Sequence, residues 1–237
     1  MFPVSKQHDN NGSLMVHGKI GFRVRTDVPR ASPDLIARFR DHATSNIGDA
    51  MGRFHFMDFG IRPRSGLPLC GVAVTVDVRP GDNLMVHKAL EVAQPGDIVV
   101  STNGNTTSAV FGELMCRTAV GAKLGGIIVD GAIRDVDGIT ALGFPAYSRA
   151  VCAGGCDKDG PGEVNFPISC GNAVVMPGDI VVGDVDGVVV IAREEAEEVL
   201  RLTAALVERE RARIAEIDAG VLFNGEINET LRKKGVL

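Results

Sequence analysis

Gly125-Gly126-Ile127-Ile128-Val129-Asp130-Gly131-Ala132-Ile133-Arg134-Asp135 is the stretch that decides the fold. An apolar run ends in Asp-Gly, and three residues later comes an Arg-Asp pair. A continuous apolar run bounded by glycine reads as a strand buried on both faces, as in parallel sheets. Ligands of open α/β sheets bind just beyond the carboxyl ends of such strands. Arg134 and Asp135 therefore stand where a parallel-sheet protein keeps its chemistry. An arginine can clamp a carboxylate with two parallel hydrogen bonds, and the aspartate beside it can hold a hard cation such as Mg²⁺ through oxygen.

Outward from this strand, periodicity places the other elements. Val72 to Val78 alternates and is rich in Val and Thr, so it is a strand. Asn83 to Val92 and residues 112–123 read as helices. Pro95-Gly96-Asp97-Ile98-Val99-Val100 is a turn feeding a buried strand, and the same six residue types recur at Pro177-Gly178-Asp179-Ile180-Val181-Val182. Six shared residues mark a reused device, not a duplicated domain. Ala153 to Gly171 reads as a Gly-rich loop. Val188 to Ile191 gives a further strand, and Glu194 to Ala219 a long helix closed by Gly220. On the other side, Ser32-Pro33-Asp34 starts a helix over 33–45, with a short helix around Ile47 to Gly52. Ile61-Arg62-Pro63 begins an extended region. Strands alternating with helices argue an α/β domain, with some strands in a second, partly antiparallel layer. The domain spans 31–220. Residues 1–30, which carry the breaker cluster Asp9-Asn10-Asn11-Gly12-Ser13, form an arm, and 221–237 a tail.

Composition bounds the function. The 237 residues are 45% hydrophobic and 23% charged, as in globular proteins. A net charge of −5 with no basic stripe argues against a nucleic-acid surface. No apolar run approaches the roughly 20 residues of a membrane helix. The amino terminus lacks a secretory apolar region, so the expected compartment is the cytoplasm. Five cysteines with no nearby histidine complete no zinc set and read as small apolar residues.

The second chemistry-bearing segment runs from Asn103-Gly104-Asn105 to Gly112-Glu113-Leu114-Met115. It follows a strand directly and turns helical. Free amides at the helix start, those of Leu114 and Met115, can bind an anion, and Glu113 sits at the helix mouth. Twenty residues separate Glu113 from Arg134, so adjacent strands would bring the two loops together. In the last helix Val199, Thr203, Leu206, Glu210, Ile214 and Ile217 share a face, so Glu210 lies on an apolar stripe and needs a partner. Blander readings stand beside these. Arg134 and Asp135 as a surface ion pair, Glu113 as a dipole-favouring carboxylate and Glu210 as a solvated or interface salt-bridge residue are the alternatives. His55 and His87 read as packing residues. Asp157, Lys158 and Asp159 gate the site or lie on the surface.

Gly112-Glu113, twenty residues, then Arg134-Asp135 resembles the acidic-residue–x20–Arg-Asp signature of the RraA-like family. Met57-Asp58-Phe59-Gly60-Ile61-Arg62-Pro63, Gly104-Asn105-Thr106, Asp130 to Asp135 and Pro177-Gly178-Asp179 resemble it as well. The resemblance covers roughly residues 34–220. That family includes class II pyruvate aldolases acting on 4-hydroxy-4-methyl-2-oxoglutarate and 4-carboxy-4-hydroxy-2-oxoadipate, and the regulator of ribonuclease activity A. The resemblance implies a three-layer swivelling-type β/β/α fold with a largely parallel central sheet. It implies a homotrimer or homohexamer with sites between subunits. It also implies Mg²⁺ or Mn²⁺ on Asp135, and a pyruvyl carboxylate and ketone held by Arg134 and the Leu114 and Met115 amides beside Gly112. Glu210 would reach a neighbouring subunit's site. The expected reaction cleaves a 4-hydroxy-2-oxo acid to pyruvate, with the cation and Arg134 stabilising the enolate. A metal-bound water oriented by Glu113 would be the base. Oxaloacetate decarboxylation is the companion activity, because it passes through the same enolate. The family often has Asp at the position of Glu113, and the extra methylene moves the carboxylate by about an ångström. The alternative is a non-catalytic regulator that binds a partner protein, as the ribonuclease E inhibitor does.

Overall fold

Residues 15–223 and 225–237 are described by a computed structural model, and the Asp9 to Ser13 cluster lies outside them. From the amino end, the hairpin β1 (Val16–Lys19) and β2 (Phe22–Arg25) precedes helices α1 (Pro33–Phe39) and α2 (Thr44–Ala50). The short β3 (Arg62–Pro63) and long β4 (Leu69–Val78) follow, then α3 (Leu84–Val92), β5 (Ile98–Thr102) and β6 (Ala109–Phe111). Next come α4 (Glu113–Gly121), β7 (Gly126–Ile133), α5 (Val136–Ala141) and β8 (Ala146–Val151). Five short strands complete the sheets: β9 (Gly162–Val164), β10 (Ile168–Cys170), β11 (Ala173–Val175), β12 (Ile180–Gly183) and β13 (Val188–Ile191). Helices α6 (Ala196–Asp218) and α7 (Gly225–Lys233) end the chain.

The main sheet has the order β1-β2-β9-β4-β5-β7-β8-β3. Its centre, β4-β5-β7-β8, is parallel. β4 serves two layers. Its first half pairs antiparallel with β12, and its second half with β9. Strand β7 is buried on both faces, as its apolar run requires. Ile127, Val129 and Ile133 enter a core with Val86 and Leu90 of α3, Ala119 of α4 and Ile139 of α5. Ile128 points the other way, against Tyr147, Val175, Val181 and Val190. A third core joins β12 and β13 to Leu35, Phe39, Ile47, Val199 and Leu200. The result is a mixed α/β fold with a large, mostly parallel central sheet. Helices α3–α5 cover one face, the β10–β13 strands the other, and α1, α2 and the start of α6 lie outside those.

The repeated Pro-Gly-Asp device works the same way twice. Gly96 and Gly178 take φ of +88° and +93°. Each aspartate then folds back onto the amide three residues earlier, Asp97 on Gln94 at 2.6 Å and Asp179 on Met176 at 2.8 Å. Elsewhere long-range contacts override local pattern. The helix expected over 33–45 stops at Phe39, and a second begins at Thr44, whose amide and hydroxyl both donate to Asp184, 140 residues away. The stretch expected as a Gly-rich loop contains β9 and β10. The arm contains the β1–β2 hairpin, which joins the sheet through β9. The tail contains α7.

One buried carboxylate fixes the loop between β8 and β9. Asp82 is fully buried. It accepts the amides of Leu84 (2.8 Å) on one oxygen and of Asp159 (2.7 Å) and Gly160 (2.8 Å) on the other. Burial alone would raise its pKa, but these amides and Arg79 outweigh it and hold the carboxyl below its ordinary range. Both oxygens are used, so an asparagine must turn its NH₂ toward at least one amide donor. Asp82→Asn should therefore cost about 2–3 kcal/mol, read as a lower urea midpoint at pH 7. The folded pKa is depressed, so the carboxylate's contribution is present above the unfolded value and disappears as pH falls through the folded one. The gap between wild type and Asp82→Asn should close in acid below about pH 4. A gap that stays constant down to about pH 2 would refute this account.

Candidate active site at the end of β7

The strand does not stop at Asp130-Gly131 as the sequence suggests; it continues to Ile133. Asp130 stays in the strand because Arg149 of β8 reaches it at 2.5 Å and reaches Asp58 at 2.7 Å. These two hydrogen-bonded carboxylates hold the Arg149 pKa above its usual value. Gly131 is required there, since a Cβ would fall 2.1 Å from Asn103 Oδ1. The Asn103-Gly104-Asn105 loop thus braces β7 from the side.

Past Ile133 the chain turns sharply. The Arg134 amide donates to Phe111 O at 3.0 Å, which ties the turn to the end of β6. Asp135 adopts φ +59°, ψ +37°, a left-handed conformation that aspartate tolerates better than most residues. This turn aims its carboxylate at the start of α4, where Oδ2 accepts the Glu113 amide at 3.1 Å. Arg134 Nε lies 3.5 Å from the same oxygen. Gly112 makes the approach possible: a Cβ would lie 2.6 Å from Asp135 Oδ2 and 3.1 Å from Arg134 Cγ. The first backbone bond of α4 is Cys116 N–H to Gly112 O, so the Leu114 and Met115 amides precede the ladder.

These groups line one side of a cleft of about 260 Å³. Asn83 and His87 of α3, with Gly155, Cys156 and Lys158 of the Asp82-anchored loop, form the other side. The loop packs on the guanidinium, with Arg134 Nη1 3.1 Å from where a Gly155 Cβ would be. Asn83 donates to Val110 O at 3.0 Å, and its buried Oδ1 has no partner among the described residues. Partial burial, with the Lys158 charge, lowers the His87 pKa. Burial pushes the Cys156 thiol up to about 11, so it stays protonated. Arg134 and Lys158 outweigh Asp135, and the cleft suits an anionic ligand. Among the described residues no group of three or more His, Cys, Asp or Glu could hold a metal ion. A cation here would have Asp135 as its protein carboxylate.

The structure brings Gly112, Leu114, Met115, Arg134 and Asp135 together. It places two other candidates elsewhere within the chain. The Glu113 carboxylate accepts from Arg117 at 2.6 and 2.8 Å and lies over Gly138, where a Cβ would be 2.4 Å from Oε2. Glu210 accepts from Asn46 of α2 at 2.7 Å, on the part of α6 beyond its last buried residue, Thr203. Sequence reasoning missed Asn83, took His87 as packing and left Lys158 open. Asn83 precedes α3 and is buried, while His87 lies one turn later and is exposed, so their spacing alone does not show that both meet one cleft.

The comparisons agree with this architecture. The RraA-like model, described as Aldolase/RraA, matches residues 44–190. A Halalkalibacterium halodurans protein named "Putative 4-hydroxy-4-methyl-2-oxoglutarate aldolase" is 38% identical over 82% of this chain and 94% of its own length. A Thermus thermophilus protein named "4-hydroxy-4-methyl-2-oxoglutarate aldolase" is 29% identical over 46% of this chain and 68% of its own. Among solved structures, an uncharacterized Pseudomonas syringae protein superposes with TM-score 0.74 at 25% identity, over 82% of this chain and 92% of that one. The RNA-processing inhibitor RraA of Thermus thermophilus gives 0.59 at 24% identity, over 63% and 92%, a likeness of fold. With its family model covering more than half its length, the chain belongs to the RraA-like family of aldolases and RraA proteins.

Proposed function

We propose that the protein is a divalent-metal-dependent class II aldolase that cleaves a 4-hydroxy-2-oxo acid to pyruvate and also decarboxylates oxaloacetate. The observation that carries this reading is the convergence of Arg134, Asp135 and the α4 amides on one anion-suited cleft. The aldolase names of the relatives support it.

The residues fit a hydrated Mg²⁺ or Mn²⁺. Asp135 uses Oδ2 for the Glu113 amide, and Oδ1 accepts no hydrogen bond among the described residues. Mg²⁺ is commonly held by one or two carboxylates while keeping several waters. When bound, such a cation supplies Lewis-acid polarisation of the substrate's keto oxygen. The chain's own groups do the rest. Arg134 and the Leu114 and Met115 amides grip the pyruvyl carboxylate and ketone. As the C3–C4 bond breaks, negative charge grows on the pyruvyl oxygen, and the Arg134 charge stabilises it. The loop carrying Gly155 packs on Arg134.

We also read the assembly as a trimer or hexamer of identical chains sharing their clefts. Leu114 is 80% exposed at the cleft, and Ile214 and Ile217 on outer α6 are also exposed, as surfaces meant for a second copy would be. In such an assembly Glu210 would serve a neighbour's site.

Chelation with EDTA should abolish pyruvate release and Mg²⁺ should restore it, followed by coupled pyruvate assay; full turnover after exhaustive chelation would sink the metal requirement. Arg134→Ala should lower kcat/KM by about 10²–10³, the loss seen when a donor to a developing oxyanion is removed. Wild-type rates in that variant would overturn the assignment and favour a protein-binding regulator. Gly112→Ala should push Asp135 from its place and lower kcat without lowering the thermal midpoint by more than a few degrees. Unchanged kcat would mean that the Gly112–Asp135 approach has no catalytic consequence.

A further inference from the structure

We propose that the cavity at the amino end of the parallel sheet is a second small-molecule site, taking a monocarboxylate with an apolar body through Arg40 and His42. It is separate from the candidate active site. Gly125, which lines it, lies just before β7, and Arg134 lies just past the other end of that eight-residue strand. At about 3.3 Å per residue the two sites stand roughly 25 Å apart.

The cavity encloses about 320 Å³, within the range of small-ligand pockets. Its floor is apolar. Strands β4 and β12 pair antiparallel there, with Leu69 opposite Gly183 and Cys70 opposite Val182, and Pro68 extends the same surface. A Cβ on Gly183 would lie 3.2 Å from Leu69 Cγ and 3.1 Å from Tyr147 Cζ, so the floor is already close-packed. The Cys70 thiol donates to Ile36 O at 3.4 Å and keeps its proton, since burial pushes its pKa up to about 11.

The roof is the connection between α1 and α2. The Thr44 bonds to Asp184 that set the start of α2 also hold Arg40 and His42 over the floor. Arg38 pairs with Glu197 and Arg30 with Asp97, and Arg40 is left with no carboxylate at ion-pair distance among the described residues. Asp184 lines the cavity too, but its Oδ2 accepts the Thr44 amide at 2.9 Å. Its Oδ1 accepts the Thr44 hydroxyl at 2.7 Å and the Asp186 amide at 2.9 Å. Asp97, in the hollow on the far side of Arg40, is held by Arg30 and by the Gln94 amide.

The Arg40 guanidinium leans over the floor, because its charge draws the Cys70 thiol down against the effect of burial. The His42 ring, half-buried beside it, makes no side-chain hydrogen bond among the described residues. A guanidinium with free donors grips a carboxylate through two parallel bonds. An imidazole nitrogen can donate a third, and the floor takes up the apolar body. A second carboxylate on the ligand would meet that floor unpaired, so the class is a monocarboxylate.

Benzoate is the probe, titrated into the full chain by calorimetry, with benzyl alcohol and inorganic phosphate as controls. Benzoate should bind saturably with a Kd at or below about 1 mM. Arg40 is exposed, so Arg40→Gln should keep the wild-type thermal midpoint and weaken benzoate at least about tenfold. Arg134→Ala, at the other end of β7, should leave the benzoate Kd within about twofold. Benzyl alcohol and phosphate should each bind at least about tenfold more weakly than benzoate. Heat that fails to saturate by about 10 mM would overturn the proposal. So would benzoate binding that survives Arg40→Gln, and its loss in Arg134→Ala would then put the ligand in the cleft of β7 and α4. Phosphate as tight as benzoate would show a charged surface with no apolar site. Benzyl alcohol as tight would show an apolar hollow with no carboxylate site. Either result ends the assignment.

Discussion

The hydrogen bond from the Glu113 amide to Asp135 Oδ2 joins the two halves of the site. One half is the carboxyl end of β7, the other the amino end of α4. The bond sets the α4 amides beside the Arg134–Asp135 pair, which neither end does alone. The bond depends on three local facts: a left-handed residue at 135, a glycine at 112 and a helix that begins immediately after that glycine. A side chain at 112 would hold the two ends apart by collision.

Around that joint the charges are sorted by distance and partner. Arg134 lies beside Asp135 at 3.5 Å, too long for a tight pair, and its guanidinium remains half-exposed. It is free to meet a ligand carboxylate. The Arg149 guanidinium, by contrast, is committed to Asp130 and Asp58. The two arginines differ in place: Arg134 follows the end of β7, and Arg149 lies within β8. Only the second has its donors filled by the fold, so only the first can serve chemistry. Asp82 plays a matching role on the opposite wall, where saturated oxygens make it a clamp for the loop that bears Cys156 and Lys158.

How much of this was legible in sequence follows from the range of the interactions. The buried β7, the paired Pro-Gly-Asp turns and the long α6 depend on residues within a few positions, and periodicity found them. The extension of β7 through Asp130-Gly131 depends on Arg149 and Asn103, 19 and 28 positions away. Locally, Asp-Gly reads as a turn. The β1–β2 hairpin depends on Arg23 pairing with Glu163 at 2.6 Å, and on Arg23 and Arg25 stacking on Phe166. A polar segment whose partners lie 140 residues later has no local signature of a strand. His87 reads as a packing residue in sequence for a related reason. It sits on the exposed side of α3, and only the fold of the 152–161 loop turns that side into a wall.

Glu113 shows how one methylene can move a charge out of a site. Its carboxylate extends along α4 to Arg117, one turn later, in the favourable order of acid before base. Gly138 of α5 leaves room for it to lie there. An aspartate would end about an ångström sooner, short of the two Arg117 donors that meet Glu113 Oε1. With glutamate the cleft loses a negative neighbour, and Arg134 and Lys158 dominate its field. That favours capture of an anionic ligand.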